Sequence, residues 1–580
     1  MSALIELVDG EIVLTCEARD HELAKRIPGG RYKDGLWKFP LSFGVCLAAR
    51  AEFHGALTVG PDLNEWAARY LAWRGMMMER PYPYGDDLPY VAVNGDVELE
   101  HQVWGGNMAA AMGRGLILDP MRLGKTITVI RALRLRGITN FLIVAPNSIL
   151  LKWKRDIEMW YPEAAALGIT VVKGTPTKKA KLIAEAVGPV IVNWEGIRTL
   201  SRLAPYGSVE LTEKQKVPGP LNLHPFDAIV ADEAHKAVDP HAQQTRAWWA
   251  LAHDIPVRYA MTGTVLRNGP EDLWAVMYGI VPYEYPVKSH YVARYTLSGQ
   301  GRFGFEVWGW SPATRHELFF ILDPRTLRRT WEEAGVVMPE RLPAQVRGVE
   351  MEGTQAKAYV ALKKEMALSE GDQLLLVHNP LELATRLMQA ACATPVLGKA
   401  TRTIDGEDVE VTTVDSLKMP SCKVSALLDV VEEAAGESII VFAESKLLIN
   451  LMEAELKKAH IETARITGDE VLGVRQENID RFQAGEAQVA LCTYAAASEG
   501  ITLSKGTIMF RAQRARSMPQ AVQAAARADA MGKTEPLLIV DVLTVGSIES
   551  RIWDQGGVKE GHLEELHRDE LRMSITEELR

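Results

Sequence analysis

At 580 residues the chain is long enough for roughly three or four domains. Its 47% hydrophobic and 24% charged content excludes a disordered or fibrous protein, and no apolar run approaches the length that crosses a bilayer. The formal charge of −10 excludes a uniformly basic surface but not a local basic cleft, and five cysteines without CxxC or Cys/His spacing fit reduced thiols, not structural zinc.

In chain order, residues 1–90 read as a small α+β unit. DHELAKRI is a short helix with Asp20 as its cap, and RYKDGLWKF a hairpin turning at Asp34-Gly35, a pair suited to tight primed turns. Trp37 and Phe39 alternate onto one face of that hairpin. The opening MSALIELVDGEIVLTCEARD lacks the basic and apolar regions of a signal peptide, and the Pro-rich PYPYGDDLPY at 81–90 reads as a linker. From about residue 100, short apolar strands alternate with helices. GLILD, NFLIVAP, VVKGT, PVIVNWE, DAIVADEAH and RYAMTGT are the strands, and KTITVIRALRLRG is a helix ending at Gly137. This rhythm predicts a parallel sheet covered on both faces. It resumes with SIIVFAE, TARITG, AQVALCTYAAAS, GTIMF and LLIVDV. The expected division is 1–90, a first lobe 91–335, a helical insertion or linker 336–415, a second lobe 416–547 and a charged helical tail 548–580.

The stretch DPMRLGKT, residues 119–126, sits between a strand and an amphipathic helix. In that setting Gly124-Lys125-Thr126 is the end of a phosphate-binding loop, with lysine on the β/γ oxygens and the hydroxyl on Mg²⁺. About a hundred residues on, DAIV runs into Ala231-Asp232-Glu233-Ala234-His235, which places two carboxylates at the C-terminal end of a strand. Asp232 can hold Mg²⁺ through its water shell beside Thr126, and Glu233 can orient and deprotonate the attacking water. Either motif alone is weak; together at strand ends they predict a nucleotide site.

These residues resemble superfamily-two helicases, and within them the Swi/Snf-type double-stranded DNA translocases, over roughly residues 95–550. Gln102 stands where that family has its adenine-reading glutamine. DPMRLGKT (including Arg122 and Leu123) resembles motif I, LIVAPNSILLKWKRDIEMW motif Ia, DEAH motif II and MTGTVLRN motif III. LDPRTLRRTWEEAGVVMPERLPA, with Arg328-Arg329, is similar to the segment closing the first lobe, and SCKVSALLDVV, with Lys423, to the entry of the second. SIIVFAES resembles motif IV, TYAAASEGITL the region of motif V and QAVQAAARADAMGK motif VI. IPGGRYKDGLWKFPLS resembles the HARP-type domain of annealing helicases, against which stands a plain hairpin-and-helix core.

The resemblance implies a P-loop NTPase of the α/β class: two RecA-like parallel-sheet lobes with helical insertions and the small N-terminal domain. It implies a DNA-dependent ATPase using ATP and Mg²⁺, monomeric and acting on double-stranded or forked DNA. The lack of a bilayer-length apolar run gives the expectation of no membrane attachment, and a compact chain without a nuclear targeting run that of a bacterial or phage-infected host cytoplasm. Lys125, Glu233 and Arg527 are then catalytic. Coupling falls to His235, Thr262, Thr264, Gly500 and Gln523, and DNA contact to Asn147, Lys152, Trp153 and Thr493. Two motifs depart from the family pattern. Arg122 replaces a glycine, which an L-residue can do if its side chain points outward and φ stays negative. In motif VI, similar to Q-x-x-G-R-x-x-R-x-G, Ala526 replaces the glycine and Ala530 the second arginine, leaving Arg527 as the finger, with Arg514, Arg516 or Lys533 as substitutes. A single-strand-tracking DNA or RNA helicase, and a nucleotide-gated binding module with weak hydrolysis, are the alternatives.

Overall fold

The computed structural model describes residues 3–79, 88–263, 270–301, 304–336, 344–370, 373–377, 380–404, 407–434, 436–497, 501, 503–515, 524, 527–528 and 535–549. Among the described residues the chain divides at Gly335: those up to it form one compact unit and those from Val336 on a second.

The first unit opens on a five-stranded sheet in the order Arg31–Lys33, Leu36–Pro40, Glu11–Thr15, Ala3–Val8, Leu57–Val59. Its hairpin turns at Asp34 and Gly35, both at positive φ (55° and 81°), as a primed turn demands. Trp37 and Phe39 project from that hairpin into a core with Ile12, Leu14, Val45 and Ala49. Both side chains are buried there. The helix expected after Asp20 runs His21–Lys25, although the Asp20 side chain makes no capping bond. A longer helix, Pro61–Met78, follows; proline at its first position supplies the φ a helix start needs.

This small module packs on the stretch 284–325. Ser42 Oγ donates to the buried Glu284 carboxylate at 2.7 Å, and Gly29 N–H donates to His290 Nδ1 at 2.9 Å. Arg294 joins Glu317 (2.7 Å) to Glu52 (3.1 Å), and Phe43 stacks between Tyr70 and Phe320. The Arg325 guanidinium lies 4.6 Å from the Trp73 ring centre.

A seven-stranded, all-parallel sheet follows in the order Thr326–Leu327, Arg114–Ile117, Val257–Met261, Ala228–Asp232, Phe141–Ala145, Val190–Asn193, Thr170–Val171. Every residue of the central strands Phe141–Ala145, Ala228–Asp232 and Val257–Met261 is buried. Such two-sided burial is why they read as continuous apolar runs and not as alternating ones.

The second unit holds a six-stranded parallel sheet in the order Gln345–Val349, Leu538–Thr544, Ile508–Arg511, Ile439–Ala443, Val489–Thr493, Thr463–Ile466. Both units therefore have the RecA-like α/β architecture. The span 336–415 differs from the helical insertion expected. Its first strand, Gln345–Val349, is an edge of the second sheet, and the hairpins Ala367–Leu376 and Thr394–Lys418 stand beside the helices Gly353–Glu365 and Pro380–Cys392. The polar alternation of ATRTIDGEDVEVTTVD belongs to a two-stranded ribbon, whose period of two is hard to separate from loop without knowing its partner strand. Most of the linker 81–90 and the tail beyond 549 lie outside the described residues.

Candidate nucleotide site

Because all seven strands of the first sheet are parallel, their C-terminal ends share one edge. The loop 118–124 leaves strand Arg114–Ile117 there and enters the helix Lys125–Leu135. Thr262 follows strand Val257–Met261, which lies between the loop's strand and the one ending at Asp232. The fold thus brings Lys125, Thr126, Asp232, Glu233, His235 and Thr262 to one edge.

Backbone geometry explains the loop's composition. Gly124 sits at φ 80°, ψ 32°, immediately before the helix, and a Cβ there would fall 2.1 Å from Gln102 Nε2. Glycine is required twice over, by the left-handed turn and by the amide pressed against it. The N–H groups of the first helical turn then face out as an anion site. Lys125 Nζ donates to the main-chain oxygens of Asp119 (2.9 Å) and Pro120 (3.1 Å). Arg122 corrects the sequence expectation, since its φ is +71°. The family glycine was a guide to the backbone after all: this arginine occupies the left-handed region, at a cost of about 1–2 kcal/mol for an L-residue.

The acidic pair is built as tightly. Trp153 Nε1 donates to Asp232 Oδ2 and Trp194 Nε1 to the Asp232 carbonyl, each at 2.8 Å, while Glu233 N–H donates to Asp232 Oδ1 at 2.9 Å. Burial first, and the adjacent Glu233 charge second, push the Asp232 carboxyl up to about 6, against the pull of Trp153 and Lys125. Glu233 is itself left-handed (φ 51°, ψ 51°), an outlier of the kind stored at functional sites. Its Oε2 lies 3.2 Å from His235 Nδ1, which lies 3.1 Å from Thr262 Oγ1. The His235 Nδ1 atom thus stands within reach of both the Glu233 carboxylate and the Thr262 hydroxyl on the neighbouring strand end.

Two expected DNA contacts are corrected. Trp153 is 1% exposed, because helix Leu150–Trp160 turns Leu150, Trp153, Ile157 and Trp160 inward. Its indole serves Asp232, not nucleic acid. Thr493 is likewise buried, at the end of strand Val489–Thr493. Asn147 and Lys152 are exposed, with Lys152 ion-paired to Asp156 one turn on. In the second unit Arg527 is buried and its carbonyl accepts from Leu503 N–H at 2.9 Å. Arg511 pairs with Asp541, and Lys423 is fully buried against Glu549 at 2.7 Å. Thr264, Gly500, Gln523, Arg516, Lys533, Ala526 and Ala530 lie outside the described residues.

Sequence reasoning missed the loop's supports. His101 Nε2 lies 2.9 Å from the Leu123 carbonyl, Arg329 grips the Asp119 carboxylate, and Trp331 Nε1 donates to the Met121 carbonyl at 3.3 Å. Arg329 was visible only as part of a motif; nothing in the sequence pairs it with a carboxylate 210 positions away.

A phosphate loop, a paired-acid strand end and a parallel sheet define a P-loop nucleotide-binding lobe, followed in the chain by a second lobe of like architecture. The SNF2-related domain family matches residues 68–396, more than half the chain, and the helicase conserved C-terminal domain matches 422–532. The chain belongs to the SNF2-related family, among the helicase-like ATPases of superfamily two. It is similar to DNA excision repair protein ERCC-6-like of Bos taurus (25% identical, 76% of this chain, 39% of that one). It also resembles SWI/SNF-related matrix-associated actin-dependent regulator of chromatin subfamily A-like protein 1 of Xenopus tropicalis (25%; 76% and 42%) and Zorya protein ZorD of Escherichia coli (27%; 73% and 39%). The chain spans about two fifths of the length of these curated relatives. Superposition on the Sulfolobus solfataricus SWI2/SNF2 ATPase core in complex with dsDNA covers 82% of this chain and 92% of that one, at 18% identity and a TM-score of 0.35.

Proposed function

We propose that the protein is a DNA-dependent ATPase that couples ATP hydrolysis to movement along double-stranded DNA, with forks or annealing strands as its working substrates. The observation that carries this reading is the convergence of Lys125, Thr126, Asp232, Glu233, His235 and Thr262 on one sheet edge in a chain of the SNF2-related family. In this reading Lys125 exchanges its two loop carbonyls for the β/γ phosphate oxygens, and Gln102 reads the adenine. Glu233 takes a proton from the attacking water as an O–P bond forms at the γ-phosphorus and the bond to the ADP oxygen breaks, giving ADP and phosphate. The hard oxygen donors of Thr126 and Asp232 fit Mg²⁺, and a buried carboxyl raised to about 6 beside a second acid is an environment that a divalent cation relieves. Bound there, Mg²⁺ supplies charge neutralisation on the phosphates. His235, between Glu233 and Thr262, is placed to report the state of the site to the sheet; Thr264, Gly500 and Gln523 share this coupling, and Arg527 is the arginine finger.

Asn147 and Lys152 remain the proposed tracking contacts of the first unit, acting on phosphates and therefore weakened by salt. Residues 1–90 are proposed as a HARP-like module, the chain as a monomer, and the setting as bacterial or phage-infected cytoplasm. The deciding experiment is ATP hydrolysis on duplex, forked and single-stranded DNA and on RNA, wild type beside Lys125→Ala. Duplex or fork stimulation abolished by the substitution is expected. Stimulation by single strands alone points to a single-strand-tracking helicase, and nucleotide binding without turnover to a gated binding module.

A further inference from the structure

We infer that Arg329 is a positioning residue: it holds the nucleotide loop in its left-handed turn and fastens that loop to the chain leaving the first unit. The inference rests on the proposed nucleotide-binding role of the loop. Arg329 is 2% exposed and its partner Asp119 is 0% exposed. Its Nε donates to Asp119 Oδ1 at 3.1 Å, one terminal nitrogen to Asp119 Oδ2 and the other to the His101 carbonyl. A planar guanidinium can satisfy a carboxylate fork and a carbonyl at once; an ammonium cannot hold that geometry. The socket is shaped for it. A Cβ on Gly105 would fall 2.6 Å from Nη1, and the Trp104 ring centre lies 4.9 Å from the guanidinium carbon.

The other loop bonds run to the same two elements. Leu118 N–H donates to Leu327 O (2.8 Å), Trp331 Nε1 to Met121 O (3.3 Å), and His101 Nε2 lies 2.9 Å from Leu123 O. Residues 118, 119, 121 and 123 are thus each held by the helix Glu100–Met112 or by the segment 327–331. Arg122, at φ 71°, lies between two of these anchors, so bonds on both sides oppose the relaxation its side chain favours. The same helix carries Gln102, whose amide abuts Gly124, and the segment 327–331 ends shortly before Gly335, where the chain passes from this unit to the next. One guanidinium therefore joins the proposed base-reading helix, the phosphate loop and the exit strand. Loosening it should displace the loop without touching the acids or the DNA-facing helix.

The test uses the full chain with Arg329→Gln, the charge-balanced pair Asp119→Asn with Arg329→Gln, Arg329→Lys, and Gly105→Ala. It reads Tm, the Kd of a fluorescent ATP analogue with Mg²⁺, and duplex-DNA affinity. The balanced pair removes the buried charge along with its partner, so it stays folded even where Arg329→Gln alone does not. We expect it to lose about tenfold or more in nucleotide affinity while duplex affinity stays within about twofold, and Arg329→Lys to recover part of the loss. Gly105→Ala should weaken nucleotide binding several-fold and lower Tm only modestly, because the added methyl presses on the guanidinium while alanine's helix preference offsets part of that cost. Nucleotide affinity within about twofold of wild type in both the balanced pair and Gly105→Ala would leave Arg329 with a purely structural role and overturn the inference. A wild-type chain that fails to bind the analogue, like Lys125→Ala, would instead sink the nucleotide reading itself.

Discussion

The phosphate loop of the first unit and the arginine stretch 511–533 of the second both depart from the family pattern, and they do so differently. In the loop, Arg122 replaces a glycine whose duty is conformational, and the surrounding fold meets that duty. His101, Arg329, Trp331 and Leu327 bond the loop on either side of a φ of 71°, so a residue that disfavours the turn still adopts it. In the second unit, Ala530 stands in place of an arginine whose duty is charge. No bracing can supply charge, so only another cation can stand in. Within this stretch the described cations of the proposed reading are Arg527, taken as the finger, and Arg514, taken as a substitute. Geometry is replaceable from outside a motif; charge is replaceable only by charge.

The largest effect should come from Glu233→Gln, which leaves ATP binding in place but lowers DNA-stimulated hydrolysis by about 10²–10⁴, as loss of a general base does. Retained turnover would break the assignment of the first unit's acids. Next, Arg527→Ala should cut turnover by about 10³ or more, with Arg514→Ala much milder. Equal losses, or a loss only at Arg514, would move the finger and redraw the comparison for the second unit. Trp153→Phe tests packing against DNA contact. Losing a buried donor to a carboxylate should cost about 1–3 kcal/mol in denaturant unfolding, with the salt slope of DNA binding unchanged. Removal of a phosphate contact would instead flatten that slope. Smallest is Arg122→Gly, which relieves the left-handed strain but loosens the unfolded chain; stability should shift by no more than about 1 kcal/mol, and the KM for ATP should barely move. A large change in KM would mean that the Arg122 side chain, and not its backbone, serves the nucleotide.

Much of this site was legible because it depends on local order. Strand, loop and helix around Gly124-Lys125-Thr126, and the acids ending DAIVADE, follow from short-range patterns. Trp153 was misjudged because a tryptophan within a lysine-rich helix reads equally as surface or core. Only the inward row Leu150, Trp153, Ile157, Trp160, with the Trp153 indole bonded to Asp232, decides between them. The ribbon Thr394–Lys418 was hidden for a related reason, since a two-stranded element declares itself by its pairing and not by its composition.

By itself the sequence determined the two runs of alternating strands and helices, the residue types that can meet a triphosphate, and the places where the family pattern fails. These are matters of periodicity and of chemistry carried by neighbours in the chain. Only the tertiary structure decided that Arg122 takes a positive φ, that Trp153 holds Asp232, and that Arg329 closes on Asp119. Each is a contact between residues far apart in sequence, and such contacts are selected by the packing of whole elements, which no local pattern encodes.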